Sequence, residues 1–113
     1  MNMTVEEEVE IVVKALTDKK AENIKTYDVR GISGLCDAFV VATGTAAPHL
    51  RGLVSGVQIA LKEKGATFFR VSGAPDSGWM VLDFVDVVIH VFSPEARAYY
   101  AIEKLWDTAK PVL

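Results

Sequence analysis

Apolar and polar positions alternate along the chain in a way that marks out successive regular segments. Thr4 followed by Glu7 is a capping-box pair, in which hydroxyl and carboxylate each satisfy a backbone N–H at a helix start. Val5, Val9, Val12 and Leu16 then recur at helical spacing. This predicts an amphipathic helix from residue 5 to about residue 20. Glu6, Glu7, Glu8 and Glu10 fall near its positive end, which favours acids, and read as a solvated face rather than an acidic docking site. Residues 24–29 predict a short strand, and Gly31, Ser33 and Gly34 a turn. Ala38, Phe39, Val40, Val41 and Ala42 form an unbroken apolar run, the pattern of a strand buried on both faces. Thr43-Gly44-Thr45 ends it. Thr45 is the expected cap of the next helix and Pro48 suits its first turn. Leu50, Leu53, Val54, Val57 and Leu61 then give a second amphipathic helix, stopped by Gly65.

Residues 67–71 predict a third strand and residues 73–78 a turn rich in Gly, Pro, Asp and Ser. Residues 79–84 and 87–92 predict the fourth and fifth strands. Ser93-Pro94-Glu95 combines a capping hydroxyl, a proline at the first helical position and an acid in the first turn. It starts a last helix expected to run to about residue 108. The order α-β-β-α-β-β-β-α describes one α/β (α+β) domain over residues 1–113, with a five-stranded sheet and three helices.

The last two strands can be paired in register. If Val85 and Asp86 are a two-residue loop, Phe84 faces Val87, Leu82 faces Ile89 and Met80 faces Val91. Directly opposed residues share a face, so this set is an apolar core face. The other face opposes Asp83 to Val88, Val81 to His90 and Trp79 to Phe92. Large aromatics beside a few polar groups are what protein interfaces concentrate. That face is either a binding surface or the seat of the last helix, and composition weighs the two equally. Valine in a tight two-residue turn is unfavourable if its φ is positive, and a slip of one residue would exchange the faces.

Composition narrows the function. Half the residues are hydrophobic and 24% are charged, which argues against disorder. A formal net charge of −3 disfavours binding to a nucleic-acid backbone or an anionic membrane surface. Cys36 is the single cysteine, so no internal disulfide forms and a reducing compartment is the simpler expectation. The acidic beginning of the chain lacks the pattern of a secretory signal, and no apolar stretch is long enough to span a bilayer. A cytoplasmic location is expected.

Catalytic chemistry is weakly represented. With two histidines and one cysteine there is no standard zinc spacing. His49, near a helix start, could meet an anion, but a capping role is commoner; His90, among apolar neighbours, reads as a hydrogen-bonded structural residue. Nothing beside Cys36 would lower its thiol pKa. Thr43-Gly44-Thr45 lies between a strand and a helix but lacks the glycines and lysine of a phosphate loop. Asp83 and Asp86 flank a turn and could together hold Mg²⁺ for nucleotidyl transfer, although Asp near a hairpin loop is common for turn reasons.

Several segments, taken together, resemble a known family. They are Asp28-Val29; residues 37–41; Thr43-Gly44-Thr45 with His49; residues 78–92; and residues 99–106, which include Tyr99, Tyr100 and Trp106. In order and spacing these resemble the ribosomal silencing factor, or Iojap-like, family. The resemblance implies a mixed sheet with flanking helices, related to nucleotidyltransferases but without their activity. It implies a protein without catalytic residues, cofactor or metal. Its partner is the large ribosomal subunit, bound through ribosomal protein L-fourteen. Small-subunit joining is thereby obstructed and translation falls when nutrients are scarce, and a role in large-subunit maturation is also attributed to the family. Members are often dimeric, so a homodimer is among the implied partners. Residue by residue, the resemblance assigns partner contact to Trp79, Met80, Phe84 and Tyr100. Asp86 joins the set, although with His90 its role reads as mainly structural. A small nucleotidyltransferase-like enzyme using Asp83, Asp86 and Mg²⁺ is the alternative. Val85 stands where the family usually has glycine, and Ala46-Ala47-Pro48 replaces a more polar stretch before His49.

Overall fold

The computed structural model describes residues 3–34, 36–66, 69–106 (backbone only at 106) and 109–112. Five strands form one mixed sheet: β1 (Glu22–Asp28), β2 (Ala38–Thr43), β3 (Arg70–Ala74), β4 (Trp79–Asp83) and β5 (Val87–Phe92), in the spatial order β1-β2-β5-β4-β3. The central β2–β5 pair is parallel and all other pairs are antiparallel. Helices α1 (Val5–Asp18) and α2 (Ala47–Glu63) cover one face. The shorter α3 (Pro94–Tyr100) lies against the other, followed by a 3₁₀ segment, Ile102–Trp106.

The covered face is where the apolar periodicities meet. Val9, Val12 and Leu16 of α1 and Leu50, Leu53, Val57 and Leu61 of α2 are buried, each at most 1% exposed, against Val40 of β2, Leu82 of β4 and Ile89 of β5. Fully burying one such side chain contributes about 1.5–3 kcal/mol relative to leaving it in water. The α1 capping box forms as expected: Thr4 Oγ1 accepts the Glu7 N–H and Glu7 Oε1 accepts the Thr4 N–H, each at 3.1 Å. Both long helices end in the same carbonyl-capping motif. The Ala66 N–H donates to the Leu61 carbonyl and the Gly65 N–H to that of Lys62; at α1, Ala21 and Lys20 do the same to Leu16 and Thr17. Gly65 meets the left-handed backbone this needs at φ 96°, whereas at α1 Lys20 does so at φ 65°.

Four sequence expectations are corrected. The cap of α2 is Ala46, with no side-chain hydrogen bond. The expected cap, Thr45, instead donates its N–H to His49 Nδ1 at 2.9 Å, and His49 Nε2 donates to the Lys19 carbonyl at 2.7 Å. His49 is thus a latch between the end of α1 and the start of α2, with both ring nitrogens engaged. Strand β3 occupies residues 70–74, further along than expected, because as an edge strand exposed throughout it carries no alternation to read; residues 67 and 68 of the expected strand lie outside the described residues. The turn is correspondingly shorter, a 3₁₀ turn at Pro75–Ser77. The last helix stops at Tyr100, where Ala101 turns left-handed at φ 46°; residue 108, its expected end, lies outside the described residues.

Candidate functional site

The register of β4 against β5 is the one the alternation predicts: Trp79 opposes Phe92, Val81 opposes His90, Asp83 opposes Val88, and Met80 opposes Val91. Val85 and Asp86 make the connecting loop. The Asp86 N–H donates back to the Phe84 carbonyl at 2.8 Å across Val85, whose φ is 72°. That is a γ-turn with a β-branched residue at its strained centre. Asp83 Oδ1 accepts the Val85 N–H at 2.8 Å.

The register divides the expected contact residues. Met80 and Phe84 point into the helix-covered core at 8% and 6% exposure, and the Phe84 ring lies 5.6 Å from that of Phe69. This corrects their assignment to a contact surface: the strand alternates, and its even-numbered residues face α2. A partner could reach those side chains only by opening the core. Asp86 is exposed, but at the far end of the hairpin, roughly 13 Å or more along β4 from Trp79 at 3.3 Å per residue. Its carbonyl accepts the N–H groups of Asp37 and Ala38 at 2.8 and 3.1 Å, tying the hairpin turn to the start of β2. Trp79 and Tyr100 are the two of the five that the fold brings together.

They meet on the face away from α1 and α2. Across the sheet, one strip there holds Ala74, Trp79, Phe92 and Thr43; the next holds Ser72, Val81, His90, Val41 and Lys25; the third holds Arg70, Asp83, Val88, Phe39 and Tyr27. Helix α3 seats Ala96 over Phe92 and Val41, which become fully buried. The last helix therefore seats on part of this face and leaves the rest uncovered. Seven residues of helix cover one end, and Trp79, Val81, Asp83, Val88 and Phe39 stay half-buried beyond it.

Gly78 makes this seating possible. It sits at φ 80°, and a Cβ there would come within 2.5 Å of Ser93 Oγ. Its carbonyl accepts the Ser93 N–H at 2.8 Å, while Ser93 Oγ caps the helix by accepting the Ala96 N–H at 3.1 Å. Arg97 fastens the other end. Its Nε and Nη2 donate to the two Glu103 oxygens at 2.9 and 3.0 Å, and its Nη1 donates to Thr43 Oγ1 at 2.7 Å and the Asn23 carbonyl at 2.6 Å. The Arg97 guanidinium holds the Glu103 carboxyl below its ordinary range. The Ala101 bend is what lets Glu103 fold back to this fork.

The Trp79 indole belongs to a cluster of rings. Its centroid lies 5.1 Å from that of Phe92 and 4.5 Å from that of Tyr100. Its Nε1–H donates diagonally across the strands to His90 Nδ1 at 3.1 Å. An accepting Nδ1 leaves the ring proton on Nε2, which is buried without a partner. Burial pushes the His90 imidazole down to about 4. Beyond the indole, Tyr100 and Tyr99 are 46% and 82% exposed and pack edge to face at 5.0 Å. Tyr99 and Phe39 extend the aromatic surface beyond the residues expected from sequence. Phe39 was hidden by its run of apolar neighbours, and its pairing with Val88 reveals the face it occupies.

The other titratable side chains singled out lie away from the aromatic cluster or in turns. Burial, then the nearby Asp37 charge, pushes the Cys36 thiol up to about 11, where it is a poor nucleophile. Glu8, expected on the solvated acidic face, is instead buried at the start of α1 beside Val9 and Val12, with Oε2 unpartnered; burial and then the charges of Asp86 and Asp37 push its carboxyl up to about 7. Asp83 caps the hairpin turn. Among the described residues no three His, Cys, Asp or Glu side chains are arranged to hold a metal ion, and no helix is long and apolar enough to cross a membrane.

Fold and site together define an α+β domain with a mixed five-stranded sheet, closed by two helices on one face and half open, with aromatics, on the other. A family model described as "Ribosomal silencing factor during starvation" matches residues 2–112. The Ribosomal silencing factor RsfS of Halalkalibacterium halodurans is 34% identical over 110 residues, covering 97% of this chain and 94% of the relative. A crystal structure of a Chromobacterium violaceum protein superposes with a TM-score of 0.87 at 35% identity, covering 92% of this chain and 87% of that one. A mouse protein named "Mitochondrial assembly of ribosomal large subunit protein 1" is 29% identical over 102 residues, 88% of this chain and 45% of the relative. The chain belongs to the ribosomal silencing factor family.

Proposed function

We propose that this protein is a cytoplasmic translational repressor that binds the large ribosomal subunit through ribosomal protein L-fourteen, so that the small subunit cannot join. The surface it uses is the half-open sheet face around Trp79 and Tyr100, widened by Tyr99 and Phe39. The observation that carries the reading is a family match over nearly the whole chain in a fold whose one incompletely covered sheet face is aromatic. Obstruction needs occupancy and no catalytic group. The excess of acidic over basic side chains favours contact with a basic ribosomal protein over bare RNA. Names such as that of the mouse relative support a further part in large-subunit assembly.

Co-sedimentation with purified large subunits, small subunits and joined ribosomes tests this. The protein is expected to pellet with large subunits and to shift a mixture of the two subunits away from joined ribosomes. Pelleting with small subunits, or with neither, overturns the reading.

A further inference from the structure

Aromatic contacts hold the Trp79 ring in place but do not choose its orientation. Phe92 stacks on the indole at 5.1 Å and Tyr100 lies tilted against it at 4.5 Å; such contacts accept either edge of the indole outward, since the second side-chain torsion of tryptophan is broad. The hydrogen bond from Nε1 to His90 Nδ1 at 3.1 Å is directional. It fixes one edge of the indole inward over the sheet and leaves the other for whatever docks. His90 is a costly way to do so. It sits 9% exposed with its second nitrogen unpartnered, and a buried donor without an acceptor destabilises a fold. Val81, Val41 and Phe92 around it would suit an apolar side chain better. A polar group at such a place, with its one described hydrogen bond made to the indole at the centre of the ring cluster, has its use in that bond.

We infer that His90 is a positioning residue for docking: its Nδ1 sets the rotation of the Trp79 indole that the partner reads. This rests on the proposed docking role of the Trp79 face.

Two replacements separate positioning from packing. His90→Phe keeps a ring between Phe39 and Phe92, removes the unpartnered nitrogen and removes the acceptor. His90→Asn places a carbonyl oxygen near the position of Nδ1 but leaves a smaller side chain in the core. Affinity for large subunits, thermal stability and the Trp79 indole N–H resonance are measured for both in a Trp106→Phe background. His90→Phe is expected to be at least as stable as the parent, to bind about fivefold more weakly, the equivalent of one hydrogen bond, and to move the indole resonance. His90→Asn is expected to be less stable yet to bind more tightly than His90→Phe. Affinity that instead follows stability through the pair, or parental affinity in His90→Phe, overturns the inference. Parental affinity in Trp79→Ala overturns the docking reading itself, so the two failures are distinct.

Discussion

The same three strands present two different faces. Towards α1 and α2, β2, β5 and β4 offer Val40, Ile89 and Leu82, aliphatic and at most 1% exposed. Towards α3 they offer Val41, His90 and Val81, and beyond them Phe92, Trp79 and Phe39. One residue's shift along the strand separates the sets. The aliphatic face holds the fold together; the aromatic face is left half-covered by a helix of seven residues. Among the described residues each face also contains one buried side-chain polar atom without a hydrogen-bond partner, Glu8 Oε2 on the helix side and His90 Nε2 on the aromatic side. On the proposed docking role, the pleat of the sheet divides stability from recognition, with an electrostatic liability on each side.

The division is most severely tested at Phe84. Its burial predicts that Phe84→Ala lowers the unfolding free energy by about 3–5 kcal/mol, read by chemical denaturation. While still folded, the variant should bind large subunits like the parent. Weakened binding by the folded variant would break the comparison. Trp79→Ala should do the reverse, weakening binding by roughly 2 kcal/mol or more, as for a central aromatic anchor, at a smaller cost in stability.

The two liabilities predict opposite dependences on pH. Burial lowers the His90 pKa from 6.5 to about 4. Between those values the unfolded chain binds the proton more readily, so this contribution is present above pH 6.5 and is lost as pH falls towards 4. Glu8 is raised from 4.5 to about 7, so its contribution is present below pH 4.5 and is lost as pH rises through 7. Melting temperatures across pH 4–8 should therefore lose their acid-side fall in His90→Phe and their alkaline-side fall in Glu8→Gln. Identical profiles in parent and variants would remove both assignments. The smallest effect belongs to the hairpin tip joining the faces. Val85→Gly relieves a left-handed β-branched residue and should stabilise the protein by about 1 kcal/mol, seen as a higher denaturation midpoint with unchanged slope.

What was legible in the sequence follows the same physics. The β4–β5 register was readable because alternation and a two-residue loop determine each other. Strand β5 and both long helices followed from their apolar periods. Family resemblance pointed to this strand but assigned its contacts without regard to face. It therefore grouped Met80 and Phe84 with Trp79, whereas the alternation had already separated them. The end of α3 was not readable, because the left-handed Ala101 answers to the Arg97–Glu103 fork and to Thr43 and Asn23, residues more than fifty positions away from Arg97. Nor was the pairing of Trp79 with His90, a diagonal contact that exists only once both strands are in place.

The parallel pairing of β2 with β5 has a consequence for the timing of synthesis. It joins residues 38–43 to residues 87–92, and the rings of the open face come from β2, β4, β5 and α3. No amino-terminal portion of the chain ending before Tyr100 carries that surface whole. If that face is the docking surface proposed above, a polypeptide interrupted partway would be inert towards ribosomes, and a growing one could not grip the particle assembling it.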